Sequence, residues 1–182
     1  TFEAGEILQQ PTILIAGKGT TEVLDVITGF WTGTLQMLES DLEGILSISV
    51  AFMDYAGNSG ETALAKLSGE NVTFDKTVPT LSAVSISSNN TTNSDRATTF
   101  DVITLTITAD EALESSPIFT IDGNAVVPTG SVSGTVWTGT YIMQDDDDEI
   151  VVEFSIDFYD LAGNPGATAQ ATLDETSVTF DK

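Results

Sequence analysis

The chain has 182 residues, with 5 Lys and Arg against 28 Asp and Glu, no His, no Cys and a formal charge of −23. That length suffices for one large domain or for two of about 100 residues, each with a core of ordinary size. The charge makes nucleic acid or an anionic membrane surface a poor partner, and the missing His and Cys remove the commonest general base, thiolate zinc sites, cysteine nucleophiles and disulfides.

The first ten residues, "TFEAGEILQQ", lack the basic and apolar regions of a signal peptide, and no run approaches the length of a membrane span. The expectation is a mature fragment or internal piece. Heavy acidity with abundant Thr, Ser, Asn and Gly suits a bacterial protein that is extracellular or at the cell surface.

From Pro11 onward the elements come twice. Shifting the sequence by 106 positions places Pro11 on Pro117, "FWTGTLQM" (30–37) on "VWTGTYIM" (136–143), "FMDYAGNSG" (52–60) on "FYDLAGNPG" (158–166) and "VTFDK" (72–76) on "VTFDK" (178–182). No gap is needed between Pro11 and Lys76. A period this long exceeds that of solenoid units, so each copy is expected to be a domain with its own core: residues 1–76, incomplete at the N-terminus, and residues 77–182, complete. The first copy has no counterpart to "VPTLSAVSISSNNTTNSDRATTFDVITLT", which amounts to a first strand and most of a second.

In the second copy apolar residues alternate with period two, and Val, Ile, Thr and aromatics dominate. Strands are predicted near 81–87, 102–109, 117–122, 125–128, 135–143 and 150–159, with a last one inside 167–180, broken near "LDETS". Turn residues punctuate these at "SSNNTTNSD", "DGN", "PTGS", "DDDD" and "LAGNPG". Short strands without crossover helices predict an all-β, antiparallel sandwich. Trp31 and Trp137 fall on equivalent strands, as core or sheet-edge side chains.

"FYDLAGNPG", followed by "VTFDK", and by "TVPTLSAVSISS" after the first copy, resembles the tandem bacterial immunoglobulin-like domains of large cell-surface adhesins. The resemblance covers the whole chain. It implies tandem Ig-like sandwiches, a non-enzymatic extender or adhesion role, and rigidification by Ca2+ near domain junctions. Neighbouring Ig-like domains of the same polypeptide, or like subunits, are the implied partners.

Carboxylates supply the candidate metal ligands. If strands alternate in direction, the loop "DEALESS" (110–116) and the turn "LAGNPG" share the pole that receives the linker. Asp75, Asp110, Glu111 and Asp160 then converge at the junction, with Glu39 and Asp41 of "ESDLEG" approaching from the other side. Two carboxylates about 5 Å apart repel by roughly 0.8 kcal/mol in water and about 3 kcal/mol at an effective dielectric of 20. Ca2+ accepts six to eight oxygens and needs neither His nor Cys. Asp145, Asp146 and Asp147 of "QDDDDE" are candidates for a corresponding site facing a next domain, or else a solvated loop. Asp54 and Asp160 also suit tight turns, where Asp and Asn bond local backbone.

The leading expectation is therefore a Ca2+-stiffened spacer, with no enzymatic activity. Two alternatives remain: a filament subunit assembled by β-strand donation between chains, and a polysaccharide-binding module with Trp31, Tyr55, Trp137 and Tyr159 as platforms for surface glycans.

Overall fold

A computed structural model describes residues 7–26, 28–64, 69–114, 116–131 and 134–182. The chain folds as two compact units, Thr1–Lys76 and Thr77–Lys182. Every described regular element is a strand.

Unit 1 contains β1 (Thr12–Ile15), β2 (Lys18–Gly19), β3 (Thr21–Leu24), β4 (Trp31–Thr34), β5 (Gly44–Ile45), β6 (Ile48–Ala51) and β7 (Thr73–Phe74). They form the antiparallel sets β2-β1-β6, β3-β4 and β5-β7. Ala16 and Gly17 close the β1–β2 hairpin with φ of 52° and 73°. Positive φ at both central residues matches the right-handed twist of the flanking strands. Leu8, Pro11, Ile13 and Val50 are the buried apolar residues among those described.

Unit 2 contains β8 (Leu81–Ser88), β9 (Arg96–Ala97), β10 (Val102–Ala109), β11 (Ile118–Ile121), β12 (Asn124–Val126), β13 (Thr129–Gly130), β14 (Val136–Ile142), β15 (Phe154–Asp157) and β16 (Thr179–Phe180). A four-stranded antiparallel sheet, β13-β14-β10-β8, faces a three-stranded one, β12-β11-β15. The alternation in "VITLTITA" turns Ile103, Leu105, Ile107 and Ala109 inward, leaving Val102, Thr104, Thr106 and Thr108 on the other side. With Val84, Ile86 and Trp137 they meet Phe119, Ile121 and Ile156 from the opposite sheet in one core. This is the antiparallel β-sandwich that the period-two pattern predicts.

Two predicted elements change. The strand expected over 150–159 is regular only at Phe154–Asp157, because Val151 makes an isolated bridge to Thr179 and Tyr159 one to Pro165. The last strand is reduced to β16, which pairs in parallel with β9; the other strand pairings described are antiparallel. Ala169, inside the same predicted span, bridges Ile156 alone.

The repeat also reaches further upstream than its ungapped part. Leu8 bridges Asp54, and Leu113 bridges Asp160. The aspartates are 106 apart and the leucines 105, so the two copies differ by one residue between these leucines and their prolines.

Candidate functional site

The twice-spelled nine residues build the same hairpin in each unit. Asp54 Oδ1 accepts the backbone N–H of Asn58 at 2.8 Å, and its Oδ2 accepts Asn58 Nδ2 at 2.7 Å. Asp160 repeats this with Asn164, at 2.8 and 2.7 Å, and adds the N–H of Ala162 at 2.8 Å. The Asn58 amide and N–H hold the Asp54 carboxyl below its usual range. Gly57 and Gly163 take φ of 92° and 89°, where a side chain is strained. Gly60 and Gly166 lie under the rings of Phe52 and Phe158; a Cβ would come within 2.0 and 2.2 Å of ring carbons. Apart from the shared Ala, each repeated letter thus helps to build the turn, as aromatic lid, carboxylate acceptor, left-handed Gly, amide donor or Gly beneath the ring.

In unit 2 this hairpin stands beside the incoming segment. Asp110 Oδ1 and Oδ2 accept the N–H and hydroxyl of Thr80 at 2.8 and 2.7 Å, while Asp110 N–H donates to the Thr80 carbonyl at 3.0 Å. The Thr80 hydroxyl and N–H push the Asp110 carboxyl down. Asn164 Nδ2 reaches the Thr77 carbonyl at 3.3 Å. Residues 77–80 are therefore tied to the pole at which Leu113 bridges Asp160. Glu111 and Asp160 present carboxylate oxygens within 4.8 Å of each other there. Asp160 is fully buried, and its own turn supplies two donors to Oδ1 and one to Oδ2. One acceptor position of Oδ2 lies beyond those bonds.

Of the predicted ligands, then, Glu111 and Asp160 come together within unit 2, whereas Asp110 is turned onto Thr80. Asp75 is half-buried in unit 1, directly after β7.

The remaining candidates belong to a second repeated device, which sequence reasoning missed. Lys76 Nζ donates to the carbonyls of Glu39 and Asp41, and Lys76 N–H to Glu43 Oε1 at 2.7 Å. Lys182 Nζ donates to the carbonyls of Asp145 and Asp147 at 2.8 and 3.0 Å, and Lys182 N–H to Glu149 Oε1 at 2.8 Å. Every partner is shifted by 106. Each acidic loop thus carries the ammonium of its own unit on its carbonyls. The signal was present in the recurring terminal Lys of "VTFDK", in a chain with only 5 cationic residues.

The loop carboxylates are also engaged. Asp41 Oδ2 accepts Leu38 N–H at 2.9 Å and Oδ1 pairs with Lys18; the Lys18 bond, then the Leu38 N–H, lower its pKa. Asp147 Oδ2 accepts Gln144 N–H at 2.7 Å, and Oδ1 accepts the Tyr141 hydroxyl at 3.0 Å. Burial, together with that bond to Asp147, pushes Tyr141 up to about 12. Asp122, in the β11–β12 turn with φ of 51°, is raised by burial first and then by the fields of Asp147, Asp148 and Glu153. Asp145 and Asp146 are exposed on the same loop.

Trp137, proposed from sequence as a glycan platform, is corrected: it is buried in the core with Nε1 on the Gly134 carbonyl at 3.3 Å. Trp31 is half-buried, and Tyr55 and Tyr159 are exposed. Among the described residues no helix is long and apolar enough to cross a membrane.

No protein-family model and no curated protein matches the chain.

Proposed function

We propose that the chain is a non-enzymatic spacer segment of a repetitive extracellular surface protein, of the bacterial Ig-like kind, in which Ca2+ stiffens the link between successive sandwiches. The observation that carries this reading is the use made of the repeated polar residues. Asp54 and Asp160, Asn58 and Asn164, Glu43 and Glu149, Lys76 and Lys182 hold turns and loops within their own unit. A motif duplicated to build a bead, rather than to pose a reactive group, suits a chain selected for length and stiffness.

The joint is supported by the same economy of parts. Asp110 and Asn164 anchor residues 77–80, and Pro79, buried in unit 2, restricts the backbone there. Glu111 and Asp160 would hold the cation within unit 2. Hard oxygen donors without His or Cys are the donor set that Ca2+ takes. The bound ion would neutralise carboxylates that otherwise repel across a short gap.

Small-angle scattering of the chain in Ca2+ and in chelator tests the spacer reading. A longer, narrower distribution of maximum dimensions in Ca2+ is expected; identical profiles contradict it. The glycan reading loses one of its four platforms to the core, and only Tyr55 and Tyr159 among them are exposed.

A further inference from the structure

The last predicted strand breaks at "LDETS" (173–177), and the break is put to use in unit 2. β8 is the outer strand of β13-β14-β10-β8: one edge pairs with β10, and the other has no strand of that sheet beside it. Residues 172–176 arch over this second edge. Leu173 N–H donates to the Val84 carbonyl at 3.0 Å, and Ile86 N–H donates to Thr176 Oγ1 at 3.1 Å. The arch also braces itself, since Thr172 Oγ1 donates to the Thr176 carbonyl at 2.8 Å, and Asp174 Oδ1 accepts the Thr176 N–H and hydroxyl at 3.1 and 2.6 Å. The Thr176 hydroxyl, helped by its N–H, holds the Asp174 carboxyl below its usual range, so it stays charged.

The arch rests lightly on the unit. Residues 173–177 are exposed, Leu173 at 60%, and Glu175 takes a φ of 62° that side-chain-bearing residues seldom adopt. A cleft of about 420 Å3 is lined by Thr172 and Thr176 of the arch together with Ile86, Val152 and Phe154. Few buried contacts put such a segment at the low-stability end of a fold. The strand it crosses has the opposite character. "LSAVSISS" (81–88) holds no charge in a chain of −23, and its outward residues Ala83, Ser85 and Ser87 stand beside Thr108, Thr106 and Thr104 of β10. The arch sets Asp174 and Glu175 over this uncharged edge.

We propose that Thr172–Thr176 is a guard on the β8 edge, and that the partner it holds off is β8 of a second copy of this chain. An unguarded strand edge pairs readily with another strand. A two-fold pairing centred on Ser85 sets Val84 opposite Ile86 in hydrogen-bonded pairs, through the same Val84 carbonyl and Ile86 N–H that the arch holds. It also places Ser85 opposite its own copy, so two strongly acidic chains meet there without like charges facing across the strands. Guarded, the copies stay apart; unguarded, the four-stranded sheet continues from one copy into the next. The inference uses neither Glu111 nor Asp160, so it stands or fails independently of the Ca2+ reading.

Leu173→Pro combined with Thr176→Val in the full chain removes both bonds to β8. Sedimentation equilibrium over a dilution series should show a monomer for the parent and a monomer–dimer equilibrium for the variant, with segment 81–88 exchanging its amide hydrogens about tenfold more slowly in the dimer than on dilution. Slow exchange of 102–109 in parent and variant alike shows that unit 2 stays folded. Adding Ser85→Glu should return the variant to monomer, because it sets two carboxylates directly opposite each other. A variant that remains monomeric with 102–109 protected overturns the proposal. So does one in which 102–109 loses protection, since the arch is then part of the fold and not a guard upon it. A dimer that survives Ser85→Glu, or that the parent already forms, also overturns it.

Discussion

Lys182 donates its ammonium proton to the Asp145 carbonyl at 2.8 Å, the position that Lys76 takes on Glu39 in the other unit. A run of four aspartates, which left alone would repel itself into an open loop, is thereby closed by a cation from the far end of the same unit. Lys182→Met should lower the stability of unit 2 by about 1 kcal/mol, since a charged donor to two carbonyls is lost while the stem is kept. Amide exchange over residues 144–150 checks it. Unchanged exchange there means the latch does not order the loop.

Asp160→Asn tests the turn. The substitution places an NH2 or a weaker acceptor against two backbone N–H groups and the Asn164 amide inside a buried site. A loss of about 2 kcal/mol in unit 2 is expected by denaturant titration. Asp54→Asn, at a more open site, should cost unit 1 less.

Asp122→Asn should stabilise unit 2 at neutral pH. Burial and three neighbouring carboxylates raise the folded pKa of Asp122 above its usual 3.8, so its charge costs stability at any pH above that raised value. The cost fades as pH falls through the raised value and is gone below 3.8. The melting temperature of the variant should therefore exceed that of the parent at pH 7 and converge with it near pH 3. Asn tolerates the positive φ at this position, so the backbone is not an objection.

Asp41 has the opposite sign. Lys18 and the Leu38 N–H lower its folded pKa below 3.8, so its contribution is present above 3.8 and disappears as pH falls through the lowered value. Unit 1 should be acid-labile in that window, and Asp41→Asn should flatten the melting temperature against pH there while lowering it at neutral pH.

Ala16→Asn should stabilise unit 1 by about 0.5–1 kcal/mol. Ala16 occupies the left-handed region at the first position of a two-residue hairpin, where Asn is preferred before Gly. Thermal melting checks it; a loss of stability would mean that the turn is not the strained point.

Where burial is one-sided, the fold was legible in the letters. The strand predicted over 102–109 forms as Val102–Ala109 because every second residue must reach the core. The last strand was not, since β16 is two residues long and its pairing with β9 is parallel, set by contacts across the sequence rather than by alternation. Of the site, the "DLAGN" turn was readable from Asp, Gly and Asn chemistry. The lysine latch was not, because its donor and acceptors lie 35 and 37 residues apart and an acidic run says nothing about where its cation comes from. The grip of Asp110 on Thr80 was hidden for the same reason: a carboxylate named as a metal ligand has a hydroxyl and an N–H to hold instead.

Calorimetric titration of the intact chain with Ca2+, read together with its melting temperature, tests the stiffened spacer most directly. Heat saturating at about 0.1–1 mM, the range of extracellular modules, with a rise in melting temperature, is predicted. Glu111→Gln should weaken both. No heat and no change in melting temperature up to about 10 mM Ca2+, well above that range, would contradict the account.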